Sequence, residues 1–143
     1  MPKLATTLGT VCAERSADLD DKYDCIIPVP LHRTRYSERG YNQSEMLAKG
    51  IRNTTKIPVA KRGLLKRVRQ TPSQTGLTLE EREENVRGAF TLSKKGMEEF
   101  RGKRILIIDD VMTTGATLAS AASTVAIAKP KQVDVFAMAA VIE

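Results

Sequence analysis

The segment from Asp109 to Thr117 places two adjacent acids ahead of three threonines and a glycine. Carboxylates accept hydrogen bonds from neighbouring hydroxyl groups such as those of a sugar. Backbone N–H groups at the start of a helix are unpaired and partially positive, so with threonine hydroxyls beside them they bind a phosphate monoester. Gly115 allows the tight turn that such close approach requires. A ribose 5-phosphate satisfies both sets of residues.

Two regular elements must position these residues. The apolar run Ile105 to Ile108 predicts a buried strand that ends at the acids, and small and apolar residues at helical spacing predict a helix from about Ala116 to Lys129. Pro130 cannot continue that helix. We therefore expect Asp109 and Asp110 to bind the ribose. The 5'-phosphate is expected on the loop and first helical turn, at Met112, Thr113, Thr114, Gly115, Ala116 and Thr117.

An apolar strand that ends in two acids also occurs in nucleoside triphosphatases, where it binds magnesium. Those proteins carry GxxxxGK followed by Ser or Thr, and dinucleotide-binding folds carry GxGxxG after a strand. The sequence contains neither pattern. A plainer alternative stays open, in which the acids merely end a strand and Thr113, Thr114 and Thr117 merely cap a helix.

The chain has 143 residues, of which 41% are apolar, and this suits one domain spanning residues 1–143. No apolar run approaches the roughly 18 residues of a membrane span, and Met1 to Thr10 lack the features of a signal peptide. We expect a cytoplasmic protein with no membrane partner. Cys12, Cys25 and the one histidine, His32, cannot complete a four-ligand zinc site, so buried thiols are expected.

The net charge of +6 and the pI of about 9.5 indicate an anionic partner. A polyphosphate metabolite and a nucleic acid both fit that charge. The sequence holds three Phe, three Tyr and no Trp, which is little material for stacking single-stranded bases. The composition therefore favours a small anion and leaves nucleic acid as the second partner.

Apolar runs that suit buried parallel strands alternate with helical patterns along the chain, which predicts the α/β class. A helix capped by Asn42 is expected from about Gln43 to Arg52. The other predicted elements are a helix over Leu4–Ala17, an acidic turn at Asp18, Asp20 and Asp21, a strand over Asp24–Pro30, a short strand over Leu64–Val68, a mobile loop over Gln70–Thr78, a capping box at Thr78 and Glu81 that opens a charged helix to about Arg87, an extended segment over Ala89–Leu92, and a last strand over Val133–Ile142.

The segment from Arg104 to Thr117 resembles the phosphoribosyl pyrophosphate (PRPP) motif of type I phosphoribosyltransferases. The blocks from Ile26 to Ser44 and from Leu65 to Leu77 resemble one branch, the ComF/GntX-like proteins linked to DNA uptake in competent bacteria. The resemblance implies a mainly parallel central sheet flanked by helices, with a small hood drawn from about residues 61–101. Members of this branch usually begin with a zinc-finger-like segment. This sequence is similar to their transferase domain without that segment.

The resemblance also implies roles for residues outside the phosphate loop. Pro28 to Arg33 would form a pyrophosphate loop, and a flexible loop over about residues 67–79 would close over PRPP. Magnesium would be held largely by the substrate, with Asp109 and Asp110 acting through ribose hydroxyls or water. The pyrophosphate ligands would be Leu31, His32, Arg33 and Arg39, and Arg35 is a further candidate. The ligands from the flexible loop would be Arg67, Arg69 and Gln74. The catalytic cations would be Arg39 and Arg69.

Two functions are compatible with the sequence. In the first, a nitrogen acceptor attacks ribose C1 of PRPP and magnesium pyrophosphate leaves. In the second, a non-enzymatic PRPP-sensing or DNA-associated protein uses the same pocket, and the basic stretch from Lys61 to Arg69 contacts a phosphate backbone. The arginines favour the enzyme, whereas Thr113 favours the second role because some relatives carry an acid there. His32 is a general acid or base, or a plain loop residue. The acceptor is unidentified, and the oligomeric state stays open, a dimer included.

Overall fold

The computed structural model describes residues 19–69, 78, 80, 88–112 and 115–140. Within these ranges the chain forms five helices and five strands. In chain order they are α1 (Leu19–Lys22), β1 (Cys25–Pro28), α2 (Arg33–Arg39), α3 (Gln43–Thr55), β2 (Leu65–Arg67), β3 (Phe90–Leu92), α4 (Lys94–Glu99), β4 (Arg104–Met112), α5 (Ala116–Ala126) and β5 (Gln132–Ala140).

Three strands form a parallel sheet in the order β1-β4-β5. The central strand β4 pairs with β1 along the whole of β1 and with β5 along nearly the whole of β5. Val59 extends the sheet by a parallel bridge to Ile26 of β1. Because parallel strands point the same way, their carboxyl ends meet at one edge of the sheet. Asp109 and Asp110 of β4 lie at that edge.

Both faces of this sheet are covered, as is usual for parallel sheets. Side chains alternate along β4, so Ile105 and Ile107 pack into one core cluster and Leu106 and Ile108 into another. The first cluster includes residues of α5, β2 and β3, and the second includes residues of α3. Both faces of β4 are thus buried, and packing against both core clusters fixes the position of this strand in the sheet.

Polar contacts hold the opposite, amino-terminal edge of the sheet together. The Asp24 carboxylate accepts hydrogen bonds from the backbone N–H and the guanidinium of Arg104, the shortest at 2.9 Å. This guanidinium holds the pKa of Asp24 well below its usual range. The hydroxyl of Tyr23 donates to Asp134 of β5 at 2.7 Å, and burial raises the pKa of Tyr23 to about 12. These contacts join the segment before β1 to β4 and β5.

A second, antiparallel sheet consists of β2 and β3 and packs beside the first. Helix α4 follows β3 directly and is capped by Ser93, whose hydroxyl accepts from the N–H of Gly96 at 2.9 Å. Gly96 lies against the backbone oxygen of Leu64, the residue before β2. A glycine is needed there because the helix and the strand meet without room for a side chain.

Several sequence expectations are confirmed. The α/β class with a parallel sheet is observed, and the strands predicted over Asp24–Pro30, Leu64–Val68 and Ala89–Leu92 are present as the shorter β1, β2 and β3. The helix predicted over Gln43–Arg52 begins as expected, with the Asn42 side chain accepting from the N–H of Ser44. The predicted last strand is present as β5 as far as the structure describes it.

Other expectations are wrong. The acidic turn before β1 contains the short helix α1, and the helix predicted to reach Lys129 ends at Ala126, with Lys129 in the left-handed region at φ 56°. Helices α2 and α4 were not expected, because elements of seven and six residues are too short to show a hydrophobic period. The helix predicted over Leu4–Ala17 and most of the charged helix ending near Arg87 lie outside the described residues.

Cys25 is partly buried, which raises the pKa of its thiol to about 11, and Cys12 lies outside the described residues. Within the described ranges no helix has the length and apolar character that a membrane crossing requires.

Gly96→Ala should lower the free energy of unfolding by about 1–3 kcal/mol, although alanine normally stabilises a helix interior relative to glycine. The reason is that an added Cβ would lie 2.6 Å from the backbone oxygen of Leu64, so α4 or β2 would have to shift. Urea unfolding followed by circular dichroism measures the change. Lys94→Ala, at an exposed position of the same helix, is the control and should stay within about 0.5 kcal/mol of the wild type. A Gly96→Ala protein more stable than the wild type would contradict this close contact.

Candidate functional site

Strand β4 carries both acids near its carboxyl end. Asp109 and Asp110 lie inside the strand, which continues to Met112, so the expectation that the strand ends at the acids is wrong. The reason is tertiary, because β5 runs beside β4 as far as Met112 and pairs it with Ala140. Met112, expected in the phosphate loop, is therefore the last residue of a strand.

The carboxyl group of Asp109 is held by two hydrogen bonds to a single oxygen. Its Oδ1 accepts from the hydroxyl of Ser44 at 3.1 Å and from the backbone N–H of Asp110 at 2.9 Å. Burial, followed by hydrogen bonding and charge repulsion from the Asp110 carboxyl group, raises the pKa of Asp109 to about 7. A carboxyl group that titrates near neutral pH can both donate and accept hydrogen bonds, which suits the hydroxyls of a sugar.

Gly115 precedes helix α5 and has a left-handed backbone with φ 81°. Residues with a side chain rarely adopt this conformation, so the turn into the helix depends on glycine. Ala116 and Thr117 form the first turn of α5, as expected, at the same edge of the sheet as the acids. Thr113 and Thr114, the expected phosphate ligands between β4 and this turn, lie outside the described residues.

The expected pyrophosphate loop is shorter than the sequence indicated. Pro28 belongs to β1 and Arg33 begins helix α2, so the loop consists of residues 29–32. His32 caps α2, because its Nδ1 accepts from the N–H of Thr34 at 3.3 Å. The helix ends at Gly40, with φ 75°, as expected for a glycine that allows a close turn.

The three arginines of this region lie on α2 rather than on a loop, which corrects the expectation. Arg33 begins the helix, Arg39 ends it, and Arg35 lies between them. None of the α2 residues is fully buried, and the helix is capped at both ends. Arg33 and Arg39 lie at opposite ends of the helix.

A cleft of about 430 Å³ opens between the loop after β1, the start of α3 and strand β2. Pro30, Leu31 and Arg33 line one side. The other residues that line it include Tyr36, Asn42, Glu45, Arg62, Leu65, Lys66, Arg67 and Val68. The charge of Arg62 is balanced, because Glu45 accepts two hydrogen bonds from its guanidinium, the shorter at 2.7 Å. Arg33, Lys66 and Arg67 therefore make the cleft basic.

Arg67 connects this cleft to the acids. It is the last residue of β2, and its guanidinium lies 5.4 Å from the centre of the Phe90 ring. Burial lowers the pKa of Arg67, the negative charge of Asp109 opposes that change, and the positive charge of Arg35 adds to it. Charged groups from β2, β4 and α2 thus act on one another at this edge of the sheet.

The other expected cations are placed differently. Arg67 is the last residue of β2, and the flexible loop expected over about residues 67–79 lies mostly outside the described residues. Arg69 is exposed beyond the end of β2, and Arg39 is exposed and does not line the cleft. Gln74 lies outside the described residues. Of the expected pyrophosphate ligands, Leu31 and Arg33 line the cleft, whereas His32 and Arg39 do not.

Two polar residues near the acids were not expected in the site. The sequence predicts Asn42 only as a helix cap and indicates no role for Ser44, yet both are buried, and Ser44 contacts Asp109. Their one signal in the sequence is that they follow Gly40 within the block that resembles the competence branch. Their distance from Asp109 along the chain hides the contact, since 65 residues separate Ser44 from Asp109.

Comparison with known proteins identifies the family. The model of the phosphoribosyl transferase domain matches residues 42–142. This chain belongs to the phosphoribosyl transferase family. The matched residues include helix α3, the acids of β4 and the turn at Gly115, whereas the loop after β1 and helix α2 precede the matched range.

Curated relatives of this phosphoribosyl transferase domain carry names that refer to competence or to DNA utilization. Competence protein F of Haemophilus influenzae is 40% identical over 95 residues, which cover 66% of this chain and 41% of that protein. DNA utilization protein YhgH of Escherichia coli K12 is 33% identical over 99 residues, covering 69% and 41%. Competence protein ComFC of Bacillus subtilis is 31% identical over 102 residues, covering 71% and 38%. The chain spans about two fifths of these relatives, and the expected resemblance to the competence branch is confirmed.

Solved structures show the same fold at low sequence identity. The glutamine PRPP amidotransferase of B. subtilis, in complex with ADP and GMP, matches 96% of this chain and 26% of its own with a TM-score of 0.64 and 22% identity. A hypothetical protein of Neisseria gonorrhoeae with bound ppGpp matches 97% and 68% with a TM-score of 0.58 and 16% identity. The expected type I phosphoribosyltransferase fold is confirmed.

The raised pKa of Asp109 predicts a pH dependence of stability. A carboxyl group whose pKa is raised in the folded state adds to the free energy of unfolding. This contribution is complete below the pKa of the unfolded state, 3.8, and is lost as the pH rises through about 7. The free energy of unfolding should therefore fall between pH 5 and pH 8, by on the order of 2 kcal/mol from this group. Asp109→Asn should remove that fall, as measured by urea unfolding at both values.

Asp24→Asn is the matched control for this measurement. The pKa of Asp24 is lowered, so its contribution is present above its unfolded pKa and is lost only at more acidic pH. Asp24→Asn should therefore cost the same stability at pH 5 as at pH 8. An Asp109→Asn protein that keeps the wild-type slope would show that Asp109 does not titrate in this window.

Proposed function

We propose that this domain binds PRPP at the carboxyl edge of the parallel sheet and transfers its phosphoribosyl group to a nitrogen acceptor. The observation that carries the proposal is the meeting of three features at that edge: the acid pair of β4, the left-handed Gly115 before α5, and a basic cleft beside β1. A sugar, its 5'-phosphate and its diphosphate require these three features. The family supports the general class, since the fold is that of phosphoribosyl transferases.

The ribose and its 5'-phosphate are assigned to β4 and the start of α5. Asp109 and Asp110 would bind the sugar hydroxyls, and the backbone around Gly115 with Ala116 and Thr117 would bind the phosphate through N–H groups of the first helical turn. Met112, Thr113 and Thr114 remain part of this proposal through their position before that turn. The tight backbone at Gly115 supports close approach of the phosphate.

The diphosphate is assigned to the cleft, where it would be the leaving group. The acceptor nitrogen forms a bond to ribose C1 while the bond from C1 to the diphosphate oxygen breaks. The electron pair of the broken bond leaves on that oxygen, and a proton of the acceptor nitrogen passes to solvent. Cations aimed at the developing negative charge lower the barrier. Arg33 and Arg67 line the cleft beside Arg62, whose charge Glu45 balances, whereas Arg39 and Arg69 would act only if the region closes over the ligand.

Magnesium fits this arrangement as an ion carried by the substrate. Among the described residues no three His, Cys, Asp or Glu side chains come together as a metal site. Magnesium prefers oxygen ligands and keeps several waters, so PRPP oxygens would supply most of its ligands. Asp109 and Asp110 would hold it through ribose hydroxyls or water. Bound in this way, the ion would neutralise part of the diphosphate charge.

A PRPP-sensing or DNA-associated role is the second candidate, and the similarity to a competence protein and to a DNA utilization protein favours it. The structure makes the basic stretch from Lys61 to Arg69 a weaker DNA surface than its composition suggests. Arg62 is paired with Glu45 and stacks 4.3 Å from the centre of the Tyr36 ring. Lys61 and Lys66 are exposed and are the residues that this second candidate depends on.

Binding is the first test, by titration calorimetry with PRPP and magnesium. The wild type should bind and gain thermal stability, because a ligand that binds only the folded state stabilises it. Gly115→Val should weaken binding by about tenfold or more, since a β-branched side chain at positive φ blocks close approach of the phosphate. Gly102→Val is the control, because Gly102 has φ 69° at the other end of β4 and imposes similar strain away from the ligand. Equal loss in both variants would contradict the phosphate assignment, as would no binding to the wild type.

Turnover separates the two candidates. Labelled PRPP should release pyrophosphate above background when a cell extract supplies the acceptor. Arg67→Ala should slow that release by about 10² to 10³-fold if its guanidinium stabilises the leaving group. Arg39→Ala, measured in parallel, shows whether the exposed arginine takes part. PRPP that binds but stays intact in every extract, with DNA binding that is lost in Lys61→Ala/Lys66→Ala, would favour the second candidate.

A further inference from the structure

Two polar side chains are buried at the start of helix α3. Asn42 is 3% exposed and Ser44 is 2% exposed, and they are surrounded by the sheet and the helix. Burying a polar group costs free energy unless it is hydrogen-bonded. The partners of these two residues therefore indicate what the positions require.

The partners form one continuous chain of hydrogen bonds. The Asn42 amide donates from Nδ2 to the backbone oxygen of Val29 at 3.0 Å, and its Oδ1 accepts from the N–H of Ser44 at 2.9 Å. The Ser44 hydroxyl then donates to Oδ1 of Asp109 at 3.1 Å. The chain thus runs from the loop after β1, where Asn42 also lines the basic cleft, to the acid of β4.

The cap of helix α3 does not account for the Ser44 hydroxyl. The cap is made by the Asn42 side chain and the backbone N–H of Ser44, and alanine at position 44 would keep that N–H. The hydroxyl is directed instead at Asp109. Because Ser44 and the N–H of Asp110 both bind Oδ1, rotation of the Asp109 carboxyl group is restrained and Oδ2 lies outside these two bonds.

We propose that Ser44 is a positioning residue that makes the site selective for ribose by holding the carboxyl group of Asp109 towards the sugar hydroxyls. Asn42 anchors Ser44 by joining it to the backbone at Val29. The inference rests on the proposed function, in which Asp109 binds the ribose. It assigns the discrimination between a ribose and a deoxyribose phosphate to a residue that does not itself contact the ligand.

Calorimetry with ribose 5-phosphate and 2-deoxyribose 5-phosphate tests the inference. The wild type should prefer the ribose compound. Ser44→Ala should lower the affinity for ribose 5-phosphate by about tenfold, the usual scale for a lost hydrogen bond to a charged group, and leave the deoxy compound nearly unchanged. Ser44→Thr keeps a hydroxyl and should restore the preference. If Ser44→Ala does not fold, Ser44→Cys, with a similar volume and a weak donor, should show the reduced preference instead.

Thr55→Val is the matched control. Thr55 lies at the other end of α3, is 5% exposed, and donates its hydroxyl to the backbone oxygen of Ile51 at 2.8 Å. Its replacement removes a buried hydroxyl from the same helix without touching Asp109, so the preference for ribose should remain. Loss of the preference in Thr55→Val as well would overturn the inference, because general damage to α3 would explain the result.

Two further outcomes distinguish failure of the role of Ser44 from failure of the proposed function. Full ribose preference in folded Ser44→Ala or Ser44→Cys, or equal wild-type affinity for the two sugars, would overturn the role of Ser44 while leaving PRPP binding intact. A wild type that binds neither sugar phosphate nor PRPP would overturn the proposed function, and the inference with it.

Discussion

The parallel hydrogen-bond ladder that holds β4 between β1 and β5 determines where every other part of the site lies. It aligns the carboxyl ends of the strands, so the loop after β1, the acids of β4 and the start of α5 meet at one edge. Apolar side chains on both faces of β4 and the Asp24–Arg104 contact at the amino edge keep the register. A shift of one residue would exchange the two faces of β4 and bury the wrong side chains.

Ionisable groups at the carboxyl edge of the sheet are partly withdrawn from water, and this burial opposes their charged forms. Burial raises the pKa of Asp109 and lowers that of Arg67, so both charged forms are disfavoured in the free protein. A ligand that brings hydroxyl groups to Asp109 and negative charge to Arg67 would form hydrogen bonds with the carboxyl group and favour the charged form of the guanidinium. Buried ionisable groups with shifted pKa values are common at functional sites.

Short helices and their caps carry the connections between the strand ends. His32 caps α2, Asn42 caps α3, and Gly40 separates the two helices with a left-handed turn. The Arg62–Glu45 pair, stacked on Tyr36, then joins α2 and α3 to the segment before β2. The elements that border the basic cleft are therefore held to one another. The positive charge of Arg62, which belongs to the basic stretch, takes part in this contact and so stabilises the fold.

Local patterns were enough to predict the strands, the Asn42 cap, the acid pair and the turn at Gly115, because hydrophobic periodicity, capping residues and glycine act over a few neighbouring residues. The extension of β4 past Asp109 was not predictable, since it depends on the paired strand β5. Helix α2 was missed because seven residues with no buried face leave no periodic pattern. The contact of Ser44 with Asp109, the proximity of Arg67 to that acid and the pairing of Arg62 with Glu45 join residues far apart in the chain. Such contacts follow from the packing of α3 and β2 around the sheet, and that packing decides which of the many basic residues face the site.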